Sequence, residues 1–411
     1  MRHRSMLVLA LASAVAAVSG RAPARADAPE AATARLGYLS PAERKLLSPF
    51  LEQGPIALVE FAEDTELPAL VVATQVRAPA REVADIVRNV EAYPRFMPAL
   101  DEVRVSGNRG PTTSYEWVWR TAIFTLKGRN VMTEYPAGRG GRRPHAFGVR
   151  SVQGDLGAGR FMWQVFPEGE DRSLLLLASR LDMRHANWIA EQLSAGGNGV
   201  NRTINLSLAF LMLLSTKAQA EGGNLTFAPR GGREPFLRVP RLRGLLRRGD
   251  LVLLDMRGGR LDDVRVIGRM GRSEEVVRSV VTEPENFGGA LLQGSRARVV
   301  SREEDRVVFD WKIPLPLVGS SGRMRLWEQQ NGVVAVDALS GGLSGGKWRF
   351  AIHPWGHDAA LVGWARFDPA KTSWLLERLV RSVPYFREGV SAASQVMVIR
   401  SIRTQARDYS P

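Results

Sequence analysis

Alternation of apolar and polar positions organises most of this chain. Over 113–120 it puts Tyr115, Trp117 and Trp119 on one face of an extended segment and Glu116, Val118 and Arg120 on the other. Within 159–166, Phe161, Trp163 and Val165 share a face. Within 305–313, Phe309, Trp311 and Ile313 oppose Asp310 and Lys312, and further on Trp348 and Phe350 alternate with Lys347 and Arg349. Such runs predict β-strands at hairpin spacing over 100–106, 113–120, 122–134, 146–152, 159–166 and 173–183. A strand at 70–76 and two short helices, 80–87 and a proline-bounded turn at 92–97, precede them, and a helix over about 200–220 closes the series. A second series follows: a strand at 262–270, a helix at 273–281, strands near 296–301, 305–313, 322–329, 332–339, 345–353 and 359–367, and a long helix over 373–403.

The order recurs because the sequence does. Residues 46–61 lie over 241–256 at an offset of 195, with Gly54 over Gly249 and Glu60 over Asp255. Residues 72–96 lie over 266–289 near an offset of 193, with Glu82-Val83 over Glu275-Val276 and Tyr93 over Asn286. Two matches in the same order predict a duplicated unit, far longer than a solenoid repeat. The fold class expected is α+β, with two tandem domains. The boundaries read as a leader over 1–26, a helical and strand lead-in over 27–66, domains over 67–221 and 250–405, and a basic linker over 222–249.

Composition changes this picture at three points. There is no cysteine, so disulfides, thiol nucleophiles and cysteine-ligated metals are excluded. Fifty-six basic against forty-two acidic residues give a net charge of +14, which favours anionic partners. Arg2 to Arg4, an apolar run over Met6 to Val18 and Ala24-Arg25-Ala26 predict a secretory signal peptide, and hence a periplasmic or secreted chain.

Tyr93-Pro94-Arg95-Phe96-Met97-Pro98, after the helix start V-R-A-P-A-R-E-V, resembles the START-like (SRPBCC) superfamily of polyketide cyclases/dehydrases, coenzyme-Q-binding proteins and lipid-transfer domains. The resemblance covers 67–220 well and 250–405 more loosely. Asn286-Phe287-Gly288-Gly289 replaces the motif in the second copy. The resemblance implies a helix-grip fold in each domain: a curved antiparallel sheet around a long C-terminal helix, with a cavity between them for a lipid, isoprenoid quinone, sterol-like or aromatic molecule. The residues so implicated are Tyr93, Phe96, Tyr115, Trp117, Trp119, Phe161, Trp163, Leu208 and Met212 in the first copy, and Phe309, Trp311, Trp348 and Phe350 in the second. Read without the resemblance, each of these aromatics is more readily part of a filled core, and only the resemblance turns the set toward a cavity.

No catalytic constellation, cofactor fingerprint or metal set stands out. His353 and His357 flank a turn without a third ligand, His185 stands alone, and the glycine runs match no phosphate-binding loop. The linker carries Arg241, Arg243, Arg247 and Arg248 interleaved with Leu242, Leu245 and Leu246, a pattern that suits either an anionic membrane surface or a solvated connection. Three readings follow: an exported non-enzymatic carrier of a hydrophobic molecule, needing no cofactor and no nucleic acid; a cyclase- or dehydratase-like enzyme using the same cavity; or a chain in which the second copy is a structural or partner-binding domain.

Overall fold

Strand follows strand much as the alternation requires. The computed structural model describes residues 39–61, 70–120, 125–135, 144–155, 159–181, 198–228, 241–288, 295–315 and 318–409. The expected leader, His185 and the linker between 229 and 240 lie outside them. The first half contains β1 (Ile56–Glu60), β2 (Leu70–Val76), β3 (Leu100–Arg109), β4 (Thr112–Arg120), β5 (Thr125–Tyr135), β6 (His145–Gly154), β7 (Arg160–Pro167) and β8 (Ser173–Arg180). The second contains β9 (Gly249–Arg257), β10 (Arg260–Arg269), β11 (Arg296–Arg302), β12 (Arg306–Leu315), β13 (Val318–Glu328), β14 (Val334–Gly341), β15 (Lys347–Trp355) and β16 (Asp358–Arg366). Helices are α1 (Pro41–Leu51), α2 (Ala80–Arg88), α3 (Asn198–Ala220), α4 (Arg243–Arg248), α5 (Glu274–Thr282), α6 (Pro284–Gly288), α7 (Trp374–Ser382) and α8 (Phe386–Asp408).

All sixteen strands join one antiparallel sheet in the order β11-β12-β13-β14-β15-β16-β10-β9-β1-β2-β8-β7-β6-β5-β4-β3. The halves meet where β1 pairs with β9, Ile56 opposite Leu253, Ala57 opposite Val252 and Leu58 opposite Leu251. At the repeat offset of 195, Ala57 and Val252 are equivalent positions, so the seam is reciprocal. The two aligned glycines show why they are glycines. A Cβ on Gly54 would lie 1.8 Å from the Leu254 carbonyl oxygen, and one on Gly249 would lie 2.4 Å from that of Val59. Strands β1 and β9 therefore belong to the sheet, although the sequence reading left them in the lead-in and at the linker boundary.

Burial separates the centre of the sheet from its wings. Continuous apolar runs at Ile56–Val59, Leu70–Ala73, Leu174–Leu177 and Leu251–Leu254 are buried on both faces. One face packs under α1 and α4 through Leu47, Phe50, Leu51, Leu242, Leu245 and Leu246. On the other face, α3 supplies Leu206, Ala209, Phe210 and Leu213, and α8 supplies Ala392, Val396, Ile399 and Ile402, to one core that spans both halves. These two helices cross closely, since a Cβ on Gly389 would lie 2.7 Å from Ser207 Cα. The expected single helix over 373–403 is instead α7 and α8. Pro384 cannot continue a helix, and Tyr385 turns the chain at φ 63°.

A buried ion cluster fastens α8 to the seam. Asp250 is fully buried in β9 and accepts from Arg400 Nε at 2.8 Å and from both terminal nitrogens of Arg403. Arg403 Nε donates to the Arg269 carbonyl at 2.6 Å, and Arg400 Nη2 donates to that of Val59 at 3.1 Å. One helix thereby holds β9, β10 and β1 together. Burial alone would raise the Asp250 carboxyl, but Arg403 and Arg400 outweigh it and hold the group below its usual value. A depressed aspartate stabilises the fold above its unfolded value, about 3.8, and loses that contribution as pH falls through the lower folded value. Asp250→Ala, which leaves two arginines unpaired beneath α8, is expected to cost about 3–5 kcal/mol in urea unfolding at neutral pH, with the difference from wild type shrinking in acid.

Candidate functional site in the interior of the first half

The face of the first wing that looks toward α3 is apolar along most of its length. Tyr115 and Trp117 from β4, Leu126 and Met132 from β5, Phe147 and Val149 from β6, and Phe161 and Trp163 from β7 are all buried there. Phe96, Trp119, Leu208 and Met212 pack partly buried against the same cluster. The motif tyrosine is fixed: Tyr93 donates from its hydroxyl to the Val87 carbonyl at 2.5 Å and meets the Phe96 ring edge-on at 5.6 Å. Trp119 Nε1 donates to the Pro98 carbonyl at 2.9 Å. Phe309, Trp311, Trp348 and Phe350 occupy the second half's share of the core, with Trp348 stacked on Phe367. All thirteen expected residues thus lie on the apolar interior, as either a core or a cavity lining requires.

Polar side chains on that interior face are what sequence reasoning missed. Asn130 shares the parity of Leu126 and Met132, and Ser151 that of Phe147 and Val149, so both point inward. Register makes Tyr115, Asn130 and Ser151 one cross-strand row over β4, β5 and β6. They are 5%, 5% and 7% exposed, which takes them out of contact with bulk water. Asn130 Nδ2 donates to the Tyr115 hydroxyl at 3.2 Å. Asn130 Oδ1 and Ser151 Oγ have no hydrogen-bond partner among the described residues. Burial pushes the Tyr115 phenol up to about 12, against a smaller lowering by Asn130, so it is neutral throughout the physiological range.

The next row inward is a tryptophan over two glycines. Trp117 pairs with Gly128, which pairs with Gly154 at φ 109°. A Cβ on Gly128 would lie 2.8 Å from the Trp117 ring, so the indole lies over bare backbone. The second half repeats this arrangement: Trp311 pairs with Gly322, which pairs with Gly341 at φ 83°. Trp117 Nε1 and Trp311 Nε1 are both buried and unpartnered among the described residues.

Those tryptophans align the halves and expose their difference. The row equivalent to Tyr115, Asn130 and Ser151 is Phe309, Met324 and Ala338, which is wholly apolar. The second half carries its own unpartnered amide on α8, where Gln395 is fully buried and a Cβ on Gly363 would lie 2.6 Å from its Nε2. Polar groups buried without partners cost stability, so a fold keeps them at a price unless something else meets them.

The arginines expected at a membrane divide. Arg241, Arg243 and Arg247 are exposed, with Arg243 over the Trp355 ring at 5.6 Å. Arg248 instead donates to Glu43 at 2.7 Å and Glu60 at 2.8 Å. Leu242, Leu245 and Leu246, expected at the membrane boundary, are completely buried against the central strands. The three leucines therefore meet the sheet and not a membrane boundary, while Arg241, Arg243 and Arg247 stay on the surface. Among the described residues no helix is long and apolar enough to cross a membrane, and no cluster of metal-ligating side chains is present.

No family model and no curated protein matches the chain. Similar solved structures include the Zhui aromatase/cyclase from Streptomyces sp. R1128, 17% identical over 38% of this chain and 94% of that one, with a TM-score of 0.32. The di-domain ARO/CYC StfQ from the steffimycin biosynthetic pathway is 14% identical over 82% and 98%, with a TM-score of 0.28. A STAR-related lipid transfer protein from Xanthomonas axonopodis is 14% identical over 40% and 93%, with a TM-score of 0.33.

Exchanging the polar row for its second-half counterpart, Tyr115→Phe with Asn130→Met and Ser151→Ala, removes two unpartnered buried groups at the cost of one hydrogen bond. The triple variant is expected to be more stable than wild type in urea unfolding, by about 1–3 kcal/mol.

Proposed function

We propose that the chain is an exported carrier of a hydrophobic small molecule, built from two tandem helix-grip units, with the ligand's polar end held in the first unit at Tyr115, Asn130 and Ser151. The observation that carries the reading is this polar row, buried among aromatic and aliphatic side chains and left with open acceptor and donor capacity. An apolar body suits Trp117, Phe161 and Trp163; a carbonyl or hydroxyl at one end suits the row and the Trp117 N–H. The sequence resemblance to lipid- and isoprenoid-binding START-like proteins points the same way. Cleavage of the expected leader would place the carrier outside the cytoplasm.

Binding fits the row better than catalysis does. General acid–base chemistry needs a group whose pKa lies near the working pH, and the titratable member of the row is a phenol pushed up to about 12. Asn130 and Ser151 orient and do not titrate. A cyclase-like activity would have to draw its acid or base from elsewhere in the interior.

Native mass spectrometry of the full chain from an exporting host, followed by extraction, identifies what co-purifies. A fluorescent fatty-acyl or isoprenoid probe bearing a carbonyl is expected to load wild type and to bind the triple variant about tenfold more weakly, consistent with the loss of one or two hydrogen bonds. Trp117→Ala with Met212→Ala should weaken loading as well. Equal loading of wild type and the triple variant would overturn the assignment of the row.

A further inference from the structure

The outer face of the second half's free wing carries a basic groove that the interior site does not involve. Its volume is about 490 Å³, and Arg296, Arg298, Lys312 and Arg323 line it beside Asp310. Register places these side chains as direct neighbours. Arg298, Asp310 and Arg323 form one cross-strand row over β11, β12 and β13, and Arg296, Lys312 and Ser321 form the next. Both rows lie opposite in parity to the buried Phe309 and Trp311, and all six residues are exposed.

The carboxylate in the groove is already occupied. Asp310 accepts from Arg323 Nε at 2.8 Å and from Arg323 Nη2 at 3.2 Å, a two-pronged pairing that neutralises both. Arg296, Arg298 and Lys312 have no ion-pair or hydrogen-bond partner among the described residues. Arg298 shares the field of Asp310 with Arg323, whereas Arg296 and Lys312 face each other in the next row with no carboxylate beside them, so the groove keeps an excess of positive charge within one or two strand spacings, about 5–10 Å.

The first half supplies an internal control. With Trp117 and Trp311 taken as equivalent, the row Arg298, Asp310, Arg323 corresponds to Arg104, Glu116, Arg129, charge for charge. The second row does not correspond. Arg296 stands where the first half has Glu102, Lys312 where it has Val118, and Ser321 where it has Lys127. Glu102 there holds Arg104 at 2.9 Å. The six positions sum to one positive charge in the first half and three in the second. A solvated strand face shared by both halves has been made strongly cationic in one of them.

From this juxtaposition we infer that Arg296, Arg298 and Lys312, flanked by the Arg323–Asp310 pair, form a binding site for a phosphate monoester or diphosphate group, either free in solution or on a lipid headgroup. The charged side chains lie on the sheet face opposite Phe309 and Trp311, in the wing that does not carry the Tyr115, Asn130 and Ser151 row, although Trp311 and Gly322 also border the groove. Binding is salt-sensitive because every contributing cation is exposed.

The test uses the full chain and two probes: inorganic pyrophosphate by titration calorimetry, and co-sedimentation with phosphatidylcholine vesicles with or without phosphatidic acid. Binding to pyrophosphate alone identifies a free phosphate, binding to the phosphatidic acid vesicles alone identifies a headgroup, and either supports the site. The variant Arg296→Glu with Lys312→Val restores the first half's residue types on an exposed face and is expected to weaken binding at least about tenfold. A control with the same change in net charge, Arg241→Glu with Arg247→Val, is expected to bind as wild type does. Absence of binding in both arms, or equal losses in the two variants, would overturn the inference, since the second result marks attraction by overall charge alone.

Discussion

Five residues of β1, hydrogen-bonded on one side to β2 and on the other to β9, join the two halves of the described chain into a single sheet. Without that pairing each half would present a flat apolar strand edge to solvent, a template for aggregation. With it, the six central strands are enclosed on both faces, by α1 and α4 below and by α3 and α8 above. The Asp250, Arg400 and Arg403 cluster then locks the last helix onto strands of both halves. Everything outward of β8 and β16 is a wing, packed into the common interior core but taking no part in the β1–β9 pairing.

The wings were legible in the sequence because a half-buried strand writes its two environments in alternation. Every strand from β2 to β8 and from β10 to β16 was expected within a few residues of its place. The seam was not legible as strand pairing. Residues 46–61 and 241–256 were recognised as repeats, but two-sided burial erases alternation, and no local signal says that Ile56–Val59 will find Leu251–Leu254. The linker leucines misled for a related reason. A basic amphipathic segment reads alike whether its apolar face meets lipid or a protein core, and only the neighbouring strands decide. Asn130 and Ser151 were written plainly enough, as polar residues on the inward parity of apolar strands, yet were passed over because aromatics drew the reading to apolar faces. Tyr115 was found among those aromatics, but its hydroxyl gains meaning only beside its cross-strand neighbours.

Comparison of one half with the other separates scaffold from specialisation without any second protein. The tryptophan laid over paired glycines is present in both, which marks it as part of how each wing packs. The polar row on the inner face belongs to the first half, and the cationic row on the outer face to the second. The two specialisations therefore lie in different wings and on opposite surfaces of the same sheet.

The reciprocal seam also bears on how the chain reaches its native state. Ala57 meets Val252 across 195 residues, a longer separation than any other strand pairing at the centre of the sheet, so this pairing carries the largest loop-closure cost there. During synthesis the first half waits with the outer edge of β1 unpaired. Because equivalent residues oppose one another, the edge that β1 offers is matched by the edge that β9 offers in return, and pairing them leaves neither open to another chain.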